Sequence, residues 1–219
     1  MPEEKRMPSF IVRISYDIIA EETSSADTLH RVLTMADLAR YIDHPPAMDN
    51  TPSITQREYE KMIGMVWQVF DDFQAREIFR RTGERGFQHL THSGALTFTQ
   101  FLRVFDGLDT KRDRAAITMS RLTDELSRAM GYRHVFRREG QDFILEIHDC
   151  PYCVELLQRR KTLPEANYCH APTAFYEAAI NWASGDPHTA REISCRVSNP
   201  GQDFCRFKIY WNIGLKRKV

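Results

Sequence analysis

The sequence predicts an α+β fold, on three observations. Apolar residues recur at helical spacing through the first 130 residues, short paired period-2 runs replace them from Tyr132 onward, and helix-stopping residues mark the boundaries. At 219 residues the chain can bury one large core or two small ones without disulfide staples.

The elements follow in order. Phe10, Val12, Ile14, Tyr16 and Ile18 alternate with Ile11, Arg13, Ser15 and Asp17, which predicts a short strand or extended arm. Residues 28–42 carry Leu29, Val32, Leu33, Ala36 and Ala39 at helical spacing and stop before His44-Pro45-Pro46. Thr55-Gln56-Arg57-Glu58 is a capping box, which satisfies orphan amides at a helix start. The helix behind it has Tyr59, Met62, Ile63, Val66, Phe70 and Phe73 on one broad face. A further helix over 75–90 contains Gly83 and Gly86, small residues that let another backbone come close. Residues 96–105 place Phe98, Phe101, Leu102 and Phe105 on one face, and a helix over 112–130 ends at Gly131, a natural stop.

Strands are predicted over 132–136 and 143–148, joined by the turn Arg138-Glu139-Gly140-Gln141. Residues 172–183 read as a helix with Pro172 in its first turn and Gly185 past its end. Residues 190–197 and 203–211 form a hairpin around Ser198-Asn199-Pro200-Gly201, ahead of a basic tail.

Composition narrows the function. Lys plus Arg equals Asp plus Glu, so no global field recruits nucleic acid or a membrane surface. No apolar run approaches the roughly 18 residues of a spanning helix, and the start lacks a signal peptide's apolar stretch, so the expectation is a cytoplasmic protein with no membrane span. Gly-rich phosphate loops, a nucleophile elbow and paired-carboxylate motifs are missing, which weakens hydrolase, kinase and nucleotide-binding readings. In a reducing compartment, five cysteines argue against a disulfide framework and leave metal binding, redox chemistry or plain burial.

All five cysteines fall in the last third, at Cys150, Cys153, Cys169, Cys195 and Cys205. A turn centred on Pro200 puts Cys195 and Cys205 opposite each other, with Cβ atoms about 4.5–5.5 Å apart, close enough to share one ion. Arg196 and Arg206 would offset the negative charge of a zinc thiolate centre. Cys169 supplies a third thiolate if the helix after it packs on the hairpin, and Glu192 is the natural fourth ligand. Residues three apart on a regular strand face opposite ways, so Glu192 and Cys195 need a bulge or a strand end between them. The alternative is that these cysteines are simply buried small residues.

Cys150-Pro151-Tyr152-Cys153 invites a redox reading, because C-x-x-C at a helix start lowers a thiol pKa, and the tetrapeptide resembles the glutaredoxin active site. Its surroundings do not, since little chain follows and no Thr-Val-Pro segment matches. A second thiol site for metal, or packing, are the other readings of this pair. His148 is singled out as a polar contact in a pocket. Trp67, Phe101, Phe105 and Trp182 are most simply core, and if they line a cavity it would suit a flat apolar ligand.

Asp149-Cys150-Pro151-Tyr152-Cys153, Tyr168-Cys169, Glu192-Ile193-Ser194-Cys195 and Asp203-Phe204-Cys205-Arg206-Phe207 together resemble the 4-vinyl reductase domain family. That family is a small-molecule-binding domain related to the Golgi transport-particle subunits and to the sensor domain of phenol-responsive transcription activators. The resemblance covers about residues 54–209. In the phenol sensors a structural zinc is held by a cysteine, an E-x-x-C pair and a last cysteine, which match Cys169, Glu192, Cys195 and Cys205 here. The resemblance implies helices packed on an antiparallel sheet, frequently as a homodimer, with a ligand cavity between them. It divides the chain into an N-terminal extension, 1–50, and a ligand-binding domain, 51–219. Two departures are the extension itself and Ala171-Pro172-Thr173-Ala174, where many members have a Gly-containing segment.

The implied function is a binding or sensing module for a small hydrophobic or aromatic ligand, a tetrapyrrole among them, stabilised by structural zinc and signalling through a partner protein. One alternative is a subunit of a tetrapyrrole vinyl-reducing enzyme, although the chain has no nicotinamide or flavin fingerprint. The other is a scaffold or assembly factor.

Overall fold

A computed structural model describes residues 6–23, 25–93, 110–158, 168–199 and 201–211. After a short strand β1 (Arg6–Pro8), the N-terminal apolar run is a helix, α1 (Ser9–Glu22), not the strand its alternation predicts. Phe10, Ile14 and Ile18 satisfy helical spacing as well as alternation, and burial of that stripe against α4 (Asp72–His92) decides between the two. Helix α2 (Ala26–Met35) starts where the Ser25 hydroxyl accepts from the Asp27 N–H, and it stops short of the predicted end because Asp37 takes a left-handed φ of 62°.

Strand β2 (Pro52–Thr55) pairs antiparallel with β1 and leads into α3 (Gln56–Val69). The capping box is formed: Thr55 Oγ1 accepts from the Glu58 N–H at 3.2 Å, and Glu58 Oε2 accepts from the Thr55 N–H at 2.9 Å. Phe73 does not extend the apolar face of α3. It sits in the first turn of α4 and is 80% exposed. The predicted helix over 96–105 lies outside the described residues. Helix α5 (Lys111–Met130) ends at Gly131, whose φ of 80° closes the helix in the left-handed conformation that glycine adopts most readily.

The main sheet contains β3 (His134–Glu139), β4 (Asp142–His148), β5 (Thr189–Ser194) and β6 (Phe204–Tyr210), all antiparallel, in the order β3-β4-β6-β5. Among the described residues, two helices lie between β4 and β5 in sequence, α6 (Pro151–Gln158) and α7 (His170–Ser184). Helix α7 crosses α4 at Gly83, where an added Cβ would stand 2.1 Å from the Ala171 carbonyl oxygen. Phe10, Val12, Ile18 and Leu33, from the segment before residue 51, share one hydrophobic core with Leu145 and Phe207 of the sheet. The fold is therefore α+β, with helices packed on an antiparallel sheet. No helix among the described residues is long and apolar enough to cross a membrane.

Candidate metal centre and adjoining cavity

Pairing of the strands, with the helix starts beside them, carries all five cysteines to one buried cluster. At the end of β4, Asp149 takes a φ of 50° and turns the chain, so that Cys150 immediately precedes α6 and Cys153 lies in its first turn. Cys169 is the N-cap residue of α7, Cys195 follows the end of β5, and Cys205 is the second residue of β6. Each is at most 1% exposed. Sulfur atoms stand 3.5 Å apart for Cys150 and Cys169, and Cys153 lies 3.6 Å from Cys169, 3.4 Å from Cys195 and 3.2 Å from Cys205. Cys195 and Cys205 are 3.8 Å apart. On one tetrahedral zinc, with bonds of about 2.3 Å, sulfurs stand roughly 3.8 Å apart, so these spacings are near what an ion would impose.

The β5–β6 register shifts between Glu192 and Ser194, and this irregularity lets Glu192 and Cys195 address the same centre. Glu192 Oε2 also accepts from the backbone N–H groups of Tyr168 at 2.8 Å and Cys169 at 3.1 Å, tying β5 to the start of α7. Two sets of four donors have their ligand atoms within 4.8 Å of one another: Cys150, Cys153, Cys169 and Cys205, and Cys169, Glu192, Cys195 and Cys205.

Burial pushes the Cys150 thiol up to about 12 and raises that of Cys169 as well. Hydrogen bonding to Cys150 raises Cys153, while hydrogen bonds from the other thiols, Cys150 first, hold Cys205 far below the usual range. A bound cation is what would take the raised thiols of Cys150, Cys153 and Cys169 to thiolates. Burial, followed by the charge on Cys205, pushes the Glu192 carboxyl up to about 7.

This corrects the redox reading of Cys150 and Cys153, whose buried, raised thiols are the opposite of a reactive, exposed thiolate. The two arginines are not at the sulfurs either. Arg206 projects from the face of β6 opposite Cys205 and donates to Glu146 at 2.8 Å, and Arg196 pairs with Asp149 at 3.3 Å.

Beside the cluster lies a cavity of about 560 Å³. Phe10, Ile14, Leu90, Leu126 and Phe175 supply apolar wall, Gly83 and Gly86 leave room along α4, and Arg6, Asn50, Thr82, Glu125 and Arg128 are among its polar members. Tyr59 and Tyr152 also line it, their hydroxyls 2.8 Å apart. His134 Nδ1 meets the Tyr176 hydroxyl at 2.8 Å, and its Nε2 is enclosed by protein although the residue as a whole is partly exposed. Burial pushes His134 down to about 4, so its ring is neutral near pH 7.

The residues predicted to line a pocket are elsewhere. Trp67 is buried against Phe79 and Tyr168, with ring centroids 5.3 and 6.3 Å away. His148 packs on Phe204 and places Nδ1 3.4 Å from Asp203. Trp182 is 43% exposed and meets Phe87 edge-on. None of the three is on the cavity wall, and Phe101 and Phe105 lie outside the described residues. Sequence reasoning missed Tyr59, Tyr152, His134 and Tyr176 as wall residues. The pair Gly83 and Gly86 was the available signal, since one of them marks the helix crossing that forms the wall.

No family model and no curated protein matches this chain. Among solved structures, the fold is similar to that of H-NOX proteins. An H-NOX protein from S. oneidensis in the Fe(II)NO ligation state aligns over 93% of this chain and 98% of its own, with a TM-score of 0.55 at 11% identity. A doubly substituted Tt H-NOX aligns over 97% and 100%, with a TM-score of 0.51 at 12% identity. The phenol-responsive sensory domain of the transcription activator PoxR, with phenol, aligns over 68% and 72%, with a TM-score of 0.45 at 13% identity. At these identities the two H-NOX matches establish a shared fold.

Proposed function

We propose that this protein is a non-catalytic binding or sensing module that holds a flat, mainly apolar small molecule in the cavity between helices and sheet. The observation that carries this reading is the cavity itself: about 560 Å³, walled mostly by apolar side chains with a few polar groups. That size and lining suit a small-molecule site. The family resemblance adds a tetrapyrrole as a candidate ligand, a homodimer as the working assembly and a partner protein as the receiver of the signal.

A structural zinc on Cys169, Glu192, Cys195 and Cys205 is part of the same reading, supported by their convergence. When bound, zinc would fix the end of β5, the start of α7 and the start of β6 to one another. Four protein ligands leave no open position for catalysis.

The S. oneidensis relative in fold is an Fe(II)NO complex, which raises iron porphyrin as a ligand. A histidine-ligated iron porphyrin does not fit the residues here. An iron porphyrin needs an axial side chain, most often an imidazole. All eight histidines of the chain are among the described residues, and only His134 reaches the cavity wall. Its Nε2 is enclosed by protein and its Nδ1 is held by Tyr176, so no imidazole nitrogen is presented to a ring in the cavity. The reading therefore favours ligands that need no imidazole bond, metal-free tetrapyrroles included.

Titration with metal-free protoporphyrin, followed by porphyrin fluorescence, tests the cavity. Saturable binding to one site per chain is expected, and binding should weaken when Gly86→Phe fills the wall. A protein that binds neither porphyrin nor small aromatic hydrocarbons would overturn the reading in favour of a scaffold.

A further inference from the structure

The six donors of the cluster exceed what one tetrahedral ion can use, and the two four-donor sets share two members, Cys169 and Cys205. Strand order explains why. Strand β6, which carries Cys205, lies between β4 and β5. Cys150 and Cys153 arrive from the β4 side, at the corner into α6, while Glu192 and Cys195 arrive from the β5 side. Cys169 reaches the same centre from the start of α7. The shared thiols are thus the middle of the cluster, with a different pair of donors on either side.

We propose that this cluster is a two-metal thiolate site: one divalent cation held by Cys150, Cys153, Cys169 and Cys205, and another by Cys169, Glu192, Cys195 and Cys205, with the Cys169 and Cys205 thiolates bridging them. The proposal builds on the single structural zinc and goes beyond it by giving Cys150 and Cys153 a role. Soft thiolate donors in tetrahedral sets select ions of the zinc and cadmium type.

Charge balance permits the second ion: one divalent cation on three thiolates and a carboxylate carries a net charge of minus two, and two divalent cations on five thiolates and a carboxylate carry the same net charge. The fully buried site takes up the second ion without any increase in the charge it must bury. The competing arrangement is a single ion on Cys153, Cys169, Cys195 and Cys205, suggested by the 3.4 Å approach of Cys153 to Cys195. It leaves Cys150 and Glu192 as bystanders, and bridging would move Cys153 and Cys195 apart.

Metal stoichiometry of the full chain decides. Purified protein is stripped, reloaded with excess zinc or with cadmium-113, desalted and weighed by native mass spectrometry. Two ions per chain are expected, with two cadmium resonances in the thiolate range. The paired change Cys150→Ser with Cys153→Ser should reduce the count to one, and so should Glu192→Ala with Cys195→Ser. Saturation at one ion per chain, with a single cadmium resonance, overturns the two-metal site and leaves the single zinc standing. Retention of no ion by the unaltered protein overturns both. The count on the unaltered chain is decisive even where a variant fails to fold.

Discussion

At the scale of one residue, His134 couples the cavity wall to pH. Burial holds its ring near a pKa of about 4, against about 6.5 in an unfolded chain. Above about pH 7.5 the ring is neutral in both states and makes no pH-dependent contribution. As pH falls from there toward 4, the unfolded chain takes up a proton that the folded chain refuses, so stability drops across that window and levels off below it. Urea unfolding should show this contribution falling by about 2 kcal/mol between pH 7 and pH 5. The loss attributable to His134 is the part that His134→Phe removes. Equal pH slopes for the two proteins would show that the ring titrates freely in the fold. Nothing at the sequence level marks this histidine. It is one of eight, and its burial comes from elements distant in sequence, among them α7, which brings Tyr176, 42 positions away, to its Nδ1.

Where secondary-structure elements meet, two glycines one helical turn apart on α4 have different reasons to be glycine. A Cβ on Gly83 would stand 2.1 Å from the Ala171 carbonyl oxygen, and backbone cannot yield as a side-chain tip can. A Cβ on Gly86 would find only the Phe175 ring, at an ordinary 3.8 Å. Gly83→Ala should therefore destabilise by about 3 kcal/mol by forcing α4 and α7 apart. Gly86→Ala should stabilise by about 0.5–1 kcal/mol through helix propensity. Chemical denaturation of both variants checks the contrast, and a Gly83→Ala protein as stable as its parent would mean the helices do not cross there. Legibility at this scale followed locality. The capping box at Thr55 and the helix stops at Gly131 and Gly185 are readable because the chemistry lies within a few residues of the signal. Helix α1 was misread because Phe10, Ile14 and Ile18 satisfy two periods at once, and only the presence of α4 beneath them selects one. Glu192 and Cys195 were legible as a pair with a condition attached, that their strand be irregular between them. Cys150 and Cys153 were not assignable, because what brings them to Cys205 is β4–β6 pairing across more than 50 residues of chain.

Across the whole molecule, residues flanking the thiol cluster line the cavity, which predicts that metal binding at one and ligand binding at the other are thermodynamically linked. Pro151 and Tyr152, which line the cavity, are the two residues between Cys150 and Cys153. Ala171, Pro172, Phe175 and Tyr176, also lining it, follow Cys169 within two turns of α7. An ion that fixes the starts of α6 and α7 therefore fixes a large part of the cavity wall, and a ligand that orders the wall improves the geometry of the metal donors. Coupling between sites is reciprocal and typically worth 5–150-fold in affinity. Stripping the metal should weaken binding of metal-free protoporphyrin by about tenfold. Saturating porphyrin should tighten zinc by the same factor, as measured by competition against a chromophoric chelator. The thermodynamic cycle requires the two factors to agree, and circular dichroism of the metal-free protein separates direct coupling from unfolding, since a stripped protein that has unfolded would lose its helical signal along with porphyrin binding. Identical porphyrin affinity with and without metal would show that the cluster stabilises the fold without reaching the cavity.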